Sequence, residues 1–218
     1  MSDVVRLAVF DCDGTLVDGQ AAVVEAMAAA CSALGEPLPD PNHTRRSVGL
    51  SLPSAMLSLF PDAGATRRDA LVEAYKDAFR AARERNAVVE PLYDGIAELL
   101  TGLHAGGWQL AVATGKSMRG LKHTLETHGL SDLFSSLQTA DRNPSKPDPA
   151  MLRNAMDDCL AQSCVMIGDT SYDMAMARQI GARAIGVDWG YHAPDELIDA
   201  GAERVVADTN ELKELLDG

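Results

Sequence analysis

Residues 4–18 read Val-Val-Arg-Leu-Ala-Val-Phe-Asp-Cys-Asp-Gly-Thr-Leu-Val-Asp, and this stretch decides the fold. Its apolar part has the length of a strand and ends at Phe10, directly before Asp11, Asp13 and a glycine. A run this apolar, bounded by a turn former, is typical of a strand buried on both faces of a parallel sheet. Open parallel sheets bind ligands beyond the carboxyl ends of their strands. We therefore expect Asp11 and Asp13 to lie at a ligand-binding edge.

The spacing of these two aspartates also points to a ligand. Alternate residues of a strand share one face, so the two carboxylates repel each other unless a cation or a shared proton intervenes. The simpler interpretation is a turn, in which Asp and Gly are common. Cys12 lies between them and is expected to face the opposite side, as a core residue rather than a catalytic thiol.

The rest of the chain falls into two parts with different patterns of apolar residues. From about residue 19 to residue 87 the apolar spacing is helical and no strand is evident, with Asp40 and Ser51 as expected helix caps. From Glu90 onward strands and helices alternate, with Asp148 and Thr209 expected to cap two later helices. Such alternation predicts an α/β protein with a doubly wound parallel, Rossmann-like sheet, interrupted after its first strand by a helical insertion.

Composition limits the class of protein. The chain has 218 residues, enough for one large domain or one domain plus an insertion, and its formal net charge of −13 disfavours nucleic acid as a partner. No apolar run approaches the ~20 residues of a membrane span, and no signal-peptide pattern opens the sequence. The four cysteines lack metal-binding spacing. We expect a cytoplasmic chain without a membrane partner, either monomer or homodimer.

Further polar residues follow the other predicted strands. Thr114 ends the second strand, Lys146 lies in the loop after the third, and Asp169 follows the fourth, with Asp173 four residues further in a helix. Carboxyl ends of parallel strands share one edge, so these side chains are expected to converge with Asp11. A ligand set of oxygen atoms alone suits a hard cation, and a phosphate-binding site suits Mg²⁺.

These residues carry a family resemblance. Asp-x-Asp-Gly-Thr-Leu-Val at 11–17, Ala-Thr-Gly at 113–115, Ser-Lys-Pro-Asp-Pro at 145–149 and Gly-Asp-Thr-Ser-Tyr-Asp at 168–173 resemble the four motifs of the haloacid dehalogenase-like hydrolase superfamily. Their order, with a helical insertion after the first motif, is similar to the phosphoglycolate phosphatase-like branch. The resemblance implies a core domain of residues 1–17 and 90–218 and a helical cap domain of residues 18–89, with hinges near 16–19 and 88–93.

The resemblance also implies a reaction and a metal. Asp11 would attack phosphorus to form an aspartyl-phosphate, and Asp13 would protonate the leaving oxygen and then deprotonate water. Mg²⁺ would be held by a carboxylate oxygen of Asp11, the backbone carbonyl of Asp13 and Asp169. Asp173 would be a further ligand, or would orient the bound waters and Lys146. The implied activity is hydrolysis of a small-molecule phosphomonoester.

Phosphate binding is implied for four residues. Thr114, Gly115 and Lys116 would contact the phosphoryl group or the leaving group, and Lys146 would neutralise both Asp11 and the transferring group. The candidates for substrate contact in the cap are His43, Arg45, Arg46 and the turn Gly49-Leu50-Ser51. For each basic residue among them a solvated surface position is an equal alternative. The loop 189–192 is expected to pack as a loop rather than reach the site.

Three other activities share these motifs. A phosphomutase or phosphotransferase would keep every core residue and differ in the access of water. A 2-haloacid dehalogenase would need no metal and usually lacks the acid at the position of Asp13. A non-catalytic relative would normally have lost Asp11, Asp13 or Lys146, and all three are present. The prediction is a phosphatase similar to the phosphoglycolate phosphatases, although Lys116-Ser117 departs from the pattern frequent in that branch.

Overall fold

The structure is a computed structural model that describes residues 5–217. Val4, at the start of the predicted first strand, lies outside the described residues. The strands are β1 (Leu7–Phe10), β2 (Gln109–Thr114), β3 (Phe134–Thr139), β4 (Val165–Gly168), β5 (Arg183–Val187) and β6 (Arg204–Val206). The α-helices are α1 (Gln20–Leu34), α2 (Pro41–Arg46), α3 (Leu52–Leu59), α4 (Ala65–Glu84), α5 (Ile96–Ala105), α6 (Met118–Thr127), α7 (Ala150–Asp158), α8 (Ser171–Arg178), α9 (Pro194–Ala200) and α10 (Thr209–Asp217).

The strands form one parallel sheet in the order β3-β2-β1-β4-β5-β6. The predicted doubly wound α/β fold is therefore confirmed. Chain order reverses between β1 and β4, and Val9 of β1 pairs with Ala111 on one side and Met166 on the other. A crevice opens at such a reversal, beyond the carboxyl ends of the two strands. Asp11 and Asp169 are the residues that follow these two strands.

Both faces of the sheet are buried. Ala8 and Phe10 pack into one core cluster together with Leu100 and Val112, whereas the residues of β1 that alternate with them pack into a second cluster under α7 and α8. Burial on two faces explains why this strand is apolar throughout rather than alternating with polar residues. Cys12 continues the first cluster, as expected, and burial raises the pKa of its thiol well above the ordinary value.

The segment between β1 and α5 is helical, as predicted, and has a core of its own. Met27, Met56, Leu71 and Val72 pack together between α1, α3 and α4. Within the described residues no strand falls between residues 19 and 87, although isolated bridges join the chain near both ends of the segment. Most stability of short helices comes from such burial of one face, so these three helices stabilise one another.

The chain enters and leaves the helical segment side by side. Val17 forms an antiparallel bridge with Leu92, and the amide of Asp18 donates to the carbonyl of Pro91 at 2.8 Å. Backbone pairing at this point fixes the two connections to each other at the edge of the sheet core. The segment is thus attached through a short two-stranded junction.

Helix caps follow the sequence in most cases. Asp40 accepts from the amides of Asn42 and His43 to cap α2, and Ser51 and Ser117 cap α3 and α6. Two expected caps were wrong. Pro149 rather than Asp148 occupies the N-cap position of α7, although the carboxylate of Asp148 accepts from the first amide of that helix, at Ala150, at 2.9 Å. Thr209 is already the first residue of α10. The preceding residue, Asp208, accepts from the first amides of α10.

In residues 5–217 no helix combines the length and apolarity that crossing a membrane requires.

Candidate active site

Four polar side chains meet at the edge of the sheet between β1 and β4. The Nζ atom of Lys146, from the loop between β3 and α7, lies 2.9 Å from Oδ2 of Asp11 and 2.6 Å from Oδ1 of Asp173. Asp169 is the fourth, and all four are buried. Burial lowers the pKa of the Lys146 ammonium, but the charges of Asp11 and Asp173 outweigh burial and raise that pKa overall. The expected convergence of these residues is what the structure shows.

Three of these residues form an acidic cluster that fits a metal ion. Asp11, Asp169 and Asp173 each place one carboxylate oxygen within 4.8 Å of the others. Burial raises the pKa of Asp11 to about 7; Lys146 opposes this rise, and repulsion from Asp173 adds to it. Burial, followed by repulsion from Asp11 and Asp173, raises the pKa of Asp169 well above its ordinary value. The oxygen atoms of three clustered carboxylates are the kind of ligand that a hard divalent cation prefers.

Local backbone conformation explains why Asp169 can lie in the cluster. Gly14 has a φ of 84°, and a Cβ atom there would overlap the carboxylate of Asp169. A Cβ atom at Gly190 would overlap the same side chain from the other side. A side chain at either position would displace Asp169, so both glycines make room for it. The carboxylate is held by Thr15, whose hydroxyl donates to Oδ1 at 2.9 Å, and by the amide of Tyr191, which donates to Oδ2 at 3.0 Å.

The loop 189–192 was expected to pack away from the site, and this expectation was wrong. Besides the contact from Tyr191, the amide of His192 donates to the Asp169 carbonyl at 3.3 Å. The indole of Trp189 donates to the carbonyl of Thr15 at 3.1 Å. These contacts come from backbone atoms and from a ring nitrogen, which a sequence pattern does not display. The loop therefore supports Asp169 of the acidic cluster.

The side chain of Asp13 lies in a separate ion-pair group. Oδ1 of Asp13 is 2.6 Å from Nζ of Lys116, and the same ammonium is 2.9 Å from Oε1 of Glu90. Thr124 donates to the other oxygen of Glu90 at 2.9 Å. Burial raises the pKa of Glu90, but the charge and hydrogen bond of Lys116, the hydrogen bond of Thr124 and the charge of Arg83 together outweigh burial and lower that pKa. Lys116 was predicted from the sequence, whereas Glu90 was missed, because nothing in its spacing relates it to Lys116.

The helical segment lies directly over this edge of the sheet. A Cβ atom at Gly115 would overlap the backbone carbonyl of Leu50, and the amide of Ser51 donates to the hydroxyl of Ser145 at 2.8 Å. Thr114 is buried beneath, and its hydroxyl accepts from the amide of Lys116 at 3.2 Å. The turn 49–51, a sequence candidate for substrate contact, therefore lies at the site together with Thr114, Gly115 and Lys116.

The basic cap candidates are engaged elsewhere. Arg45 donates to Gln20 at 2.9 Å, and His43 lies 3.3 Å from the hydroxyl of Ser58. Arg46 forms a two-pronged ion pair with Glu196 of α9, with donor–acceptor distances of 2.9 and 2.6 Å. This last pair joins the helical segment to the sheet core. None of the three residues lines the cavity that adjoins Asp13.

Comparisons with known proteins agree with this site. The family profile described as haloacid dehalogenase-like hydrolase matches residues 8–187. The chain belongs to this family. The match begins in β1 and ends with β5, so it includes Asp11, Lys146 and Asp169. The resemblance seen in the four sequence motifs is thereby confirmed.

Named relatives of the haloacid dehalogenase-like chain cover nearly its whole length. It is 37% identical to the probable phosphatase IndB of Dickeya dadantii over 93% of this chain and 89% of that protein. It is 30% identical to the tyrosine-protein kinase PtkA of Mycobacterium tuberculosis, over 97% and 72%, and 29% identical to the phosphoglycolate phosphatase of Vibrio vulnificus, over 98% and 95%. A predicted phosphatase from Clostridium acetobutylicum has a similar crystal structure, with a TM-score of 0.87, 27% identity and coverage of 98% and 99%. The prediction of an enzyme, a hydrolase of the phosphatase type, is confirmed.

Proposed function

We propose that the chain is a Mg²⁺-dependent phosphatase that hydrolyses a small-molecule phosphomonoester through an aspartyl-phosphate. The observation that carries the proposal is the buried contact of Lys146 with Asp11 beside two further carboxylates. A carboxylate attacking a dianionic phosphate needs its own charge and that of the phosphate compensated at one place. Lys146 supplies part of this compensation, and fixed charges of this kind supply most of the rate in phosphoryl transfer.

Asp11 is the proposed nucleophile. One of its oxygens accepts from the amide of Cys12 at 2.6 Å, and the other lies against Lys146, so the carboxylate is held by two fixed donors. Its attack on phosphorus forms the O–P bond of the aspartyl-phosphate and breaks the ester O–P bond. Asp13 gives its proton to the departing alcohol oxygen. It then takes a proton from the water that attacks the aspartyl-phosphate, which regenerates Asp11 and releases phosphate.

The proposed metal ligands are Asp11, the backbone carbonyl of Asp13 and Asp169, with Asp173 either a further ligand or the group that orients Lys146. When bound, Mg²⁺ neutralises charge on the phosphoryl oxygens and on Asp11. Thr15 and Tyr191 fix the orientation of the Asp169 carboxylate by occupying one lone pair on each oxygen. Thr170 does the same for Asp173, donating to its Oδ2 at 2.7 Å.

Residues 18–89 are proposed to act as a cap over a core of residues 1–17 and 90–218. Support comes from the separate apolar core of the helices, from the two-stranded junction and from the contact of the turn 49–51 with the catalytic edge. Closing such a segment excludes water from the first step and brings cap residues to the leaving group. Thr114, Gly115 and Lys116 are proposed to bind the phosphoryl or leaving group from below.

Release of phosphate from p-nitrophenyl phosphate and from a panel of metabolite phosphomonoesters, with Mg²⁺ or with EDTA, tests the proposal. Turnover with Mg²⁺ that is lost in Asp11→Asn is expected. An Asp11→Asn variant that keeps the native rate contradicts the assigned nucleophile. Transfer of the phosphoryl group to an added sugar, without phosphate release, indicates a phosphotransferase, and halide release in EDTA indicates a dehalogenase.

A further inference from the structure

A cavity of about 460 Å³ adjoins the proposed acid-base residue. Asp13, Gly115 and Lys116 form its end in the sheet core, and the turn 49–51 forms one side. Because Asp13 is proposed to protonate the leaving oxygen, the space next to it is where the leaving group of a substrate must lie. The cavity has the volume of a typical small-molecule site, and a group as small as glycolate would fill a minor part of it.

One wall of the cavity is apolar and aromatic. Val23 and Met27 of α1 line it, as do Tyr75 and Phe79 of α4, whose ring centroids are 5.6 Å apart. Neither ring is fully buried, so part of each face is available to a ligand. Apolar walls of this kind bind a ring or hydrocarbon body and offer little to a small polar alcohol.

Arg83, one turn beyond Phe79 on α4, lines this cavity and forms no ion pair with any of the residues 5–217. Its guanidinium carbon lies 5.2 Å from the centre of the Phe79 ring. Its Nε atom is buried and has no hydrogen-bond partner among residues 5–217. The charge of Arg83 contributes to the lowered pKa of Glu90. The two carboxylate oxygens of Glu90, however, already accept hydrogen bonds from Lys116 and Thr124. A guanidinium stays charged, so leaving one of its buried N–H groups without a hydrogen bond costs free energy. A ligand anion that binds the guanidinium would reduce this cost.

The other charges around the cavity leave Arg83 as the group best placed to bind an anion. Lys116 is neutralised by Asp13 and Glu90. Lys76 and Arg80 line the cavity but pair with acids on the exposed side of α4. Among the described lining residues, Arg119 is a further cation, on the opposite wall in α6. Asp141 is an acid among the lining residues, and it already accepts from the amide of Met118 and the hydroxyl of Thr139. A guanidinium without an ion-pair partner at the wall of a cavity favours a ligand with a negative end.

We propose, building on the phosphatase function above, that the substrate alcohol carries an aromatic or alicyclic body and a second anionic group. The body packs against Tyr75 and Phe79, and the anionic group, a carboxylate or a second phosphate, binds the Arg83 guanidinium. The planar fork of Arg83 suits either anion. Substrates without the second anion still place their phosphate at Asp11 but leave Arg83 without a partner.

Four benzyl phosphates that differ only in their para substituent test this. Benzyl phosphate and 4-carbamoylbenzyl phosphate are neutral at the far end, whereas 4-carboxybenzyl phosphate and 4-(phosphonooxymethyl)benzyl phosphate carry the two candidate anions. All four release a primary benzylic alcohol, so differences in kcat/KM report binding of the far end. We expect at least one anionic ester to exceed the carbamoyl ester by about tenfold or more. The preferred anion identifies the second group.

Arg83→Met is expected to bring this ratio close to one. Arg85→Met, with the same change in charge at an exposed position just past α4, is the matched control and keeps the wild-type ratio. The four esters are also titrated calorimetrically against Asp11→Asn, which measures binding without turnover. Equal affinity of that variant for anionic and neutral esters overturns the inference, as does a ratio that Arg83→Met leaves unchanged.

The two proposals fail in different ways. If no ester is hydrolysed with Mg²⁺, p-nitrophenyl phosphate included, the phosphatase function is wrong. If all four benzyl esters are hydrolysed with equal kcat/KM by the wild-type enzyme, the phosphatase function stands and the second anionic group is wrong. Circular dichroism of Arg83→Met confirms that a lost preference does not come from a lost fold.

Discussion

Lys116 lies 2.6 Å from Asp13 and joins the proposed acid-base residue to the chain that leaves the helical segment. The joining residue is Glu90, which contacts the same ammonium at 2.9 Å and directly precedes Pro91 of the two-stranded junction. Asp13 is therefore linked, through one shared ammonium, to a carboxylate outside the four motifs. A change in position of the junction alters the environment of Asp13 as well as the entrance to the site.

Glu90→Gln tests this relationship. With Glu90 made neutral, Lys116 loses one of its two carboxylate partners and pairs with Asp13 alone. The Asp13 carboxyl is then held in the ion pair instead of being free to reach a leaving alkoxide oxygen. We expect kcat for alkyl phosphates to fall about tenfold, with a much smaller fall for p-nitrophenyl phosphate, whose leaving group needs no proton. Glu84→Gln, an exposed change nearby on α4, serves as the control. Equal losses on both kinds of ester would show that Glu90 has a structural role only.

Lys146→Met is expected to weaken the folded state of the metal-free protein. The side chain is fully buried between Asp11 and Asp173, and its removal leaves three carboxylates facing one another. Loss of one partner of a buried ion pair typically costs about 3–5 kcal/mol of unfolding free energy. Urea denaturation in EDTA measures this loss, and Lys122→Met on the exposed side of α6 is the comparison. Mg²⁺ should restore part of the stability, and a variant as stable as the wild type in EDTA would contradict the ion-pair account.

The pH dependence of Mg²⁺ stabilisation follows from the raised pKa of Asp11, about 7 against an ordinary 3.8. A carboxyl whose pKa is raised by folding favours the folded state below its ordinary value and loses that contribution as pH rises through the folded one. The metal-free site is thus least stable near neutrality and above. The proposed Mg²⁺ ion would bind the ionised cluster, so its stabilisation of the fold is expected to grow over the same pH range.

Thermal unfolding with and without Mg²⁺, from about pH 5 to about pH 8, measures this trend. We expect the increase in Tm caused by Mg²⁺ to be larger at the alkaline end. Asp11→Asn should flatten the trend because the titrating group is gone, although Asp169 remains. An increase in Tm that is the same at both ends of the range for the wild type would contradict the assignment of Asp11 to the metal site.

Sequence reasoning predicted the sheet and the converging residues because both depend on local patterns. The apolar pattern of β1 and the polar residues that follow the strands were enough to predict that Asp11, Lys146 and Asp169 lie together. Glu90 and the loop 189–192 were not predicted as site residues, since their contacts are long-range. The amide of Tyr191 is a backbone group, and the pairing of Glu90 with Lys116 depends on how a helix packs on a loop.

The cap candidates show the same limit. His43, Arg45 and Arg46 were proposed from their charge, but each is engaged by a neighbour that the sequence does not reveal. Arg83, which faces the cavity, looks in the sequence like any other basic residue of a solvated helix. The face that a basic residue presents is decided by the packing of α4 on α1, and this packing is a property of the assembled segment.

Gly190→Ala tests the support of Asp169 by its surroundings. A Cβ atom at this position would overlap the Asp169 side chain, so either the loop or the carboxylate must move. Movement of either one breaks the hydrogen bond between the Asp169 carboxylate and the amide of Tyr191. Loss of a partner that orients a metal ligand typically weakens metal binding about 10–100-fold. Calorimetric titration with Mg²⁺ measures the change. Gly64→Ala is the matched control, because Gly64 has an open surrounding and a φ of −63°. A Gly190→Ala protein that binds Mg²⁺ as tightly as the control would show that the fixed position of Asp169 is not what the metal site requires.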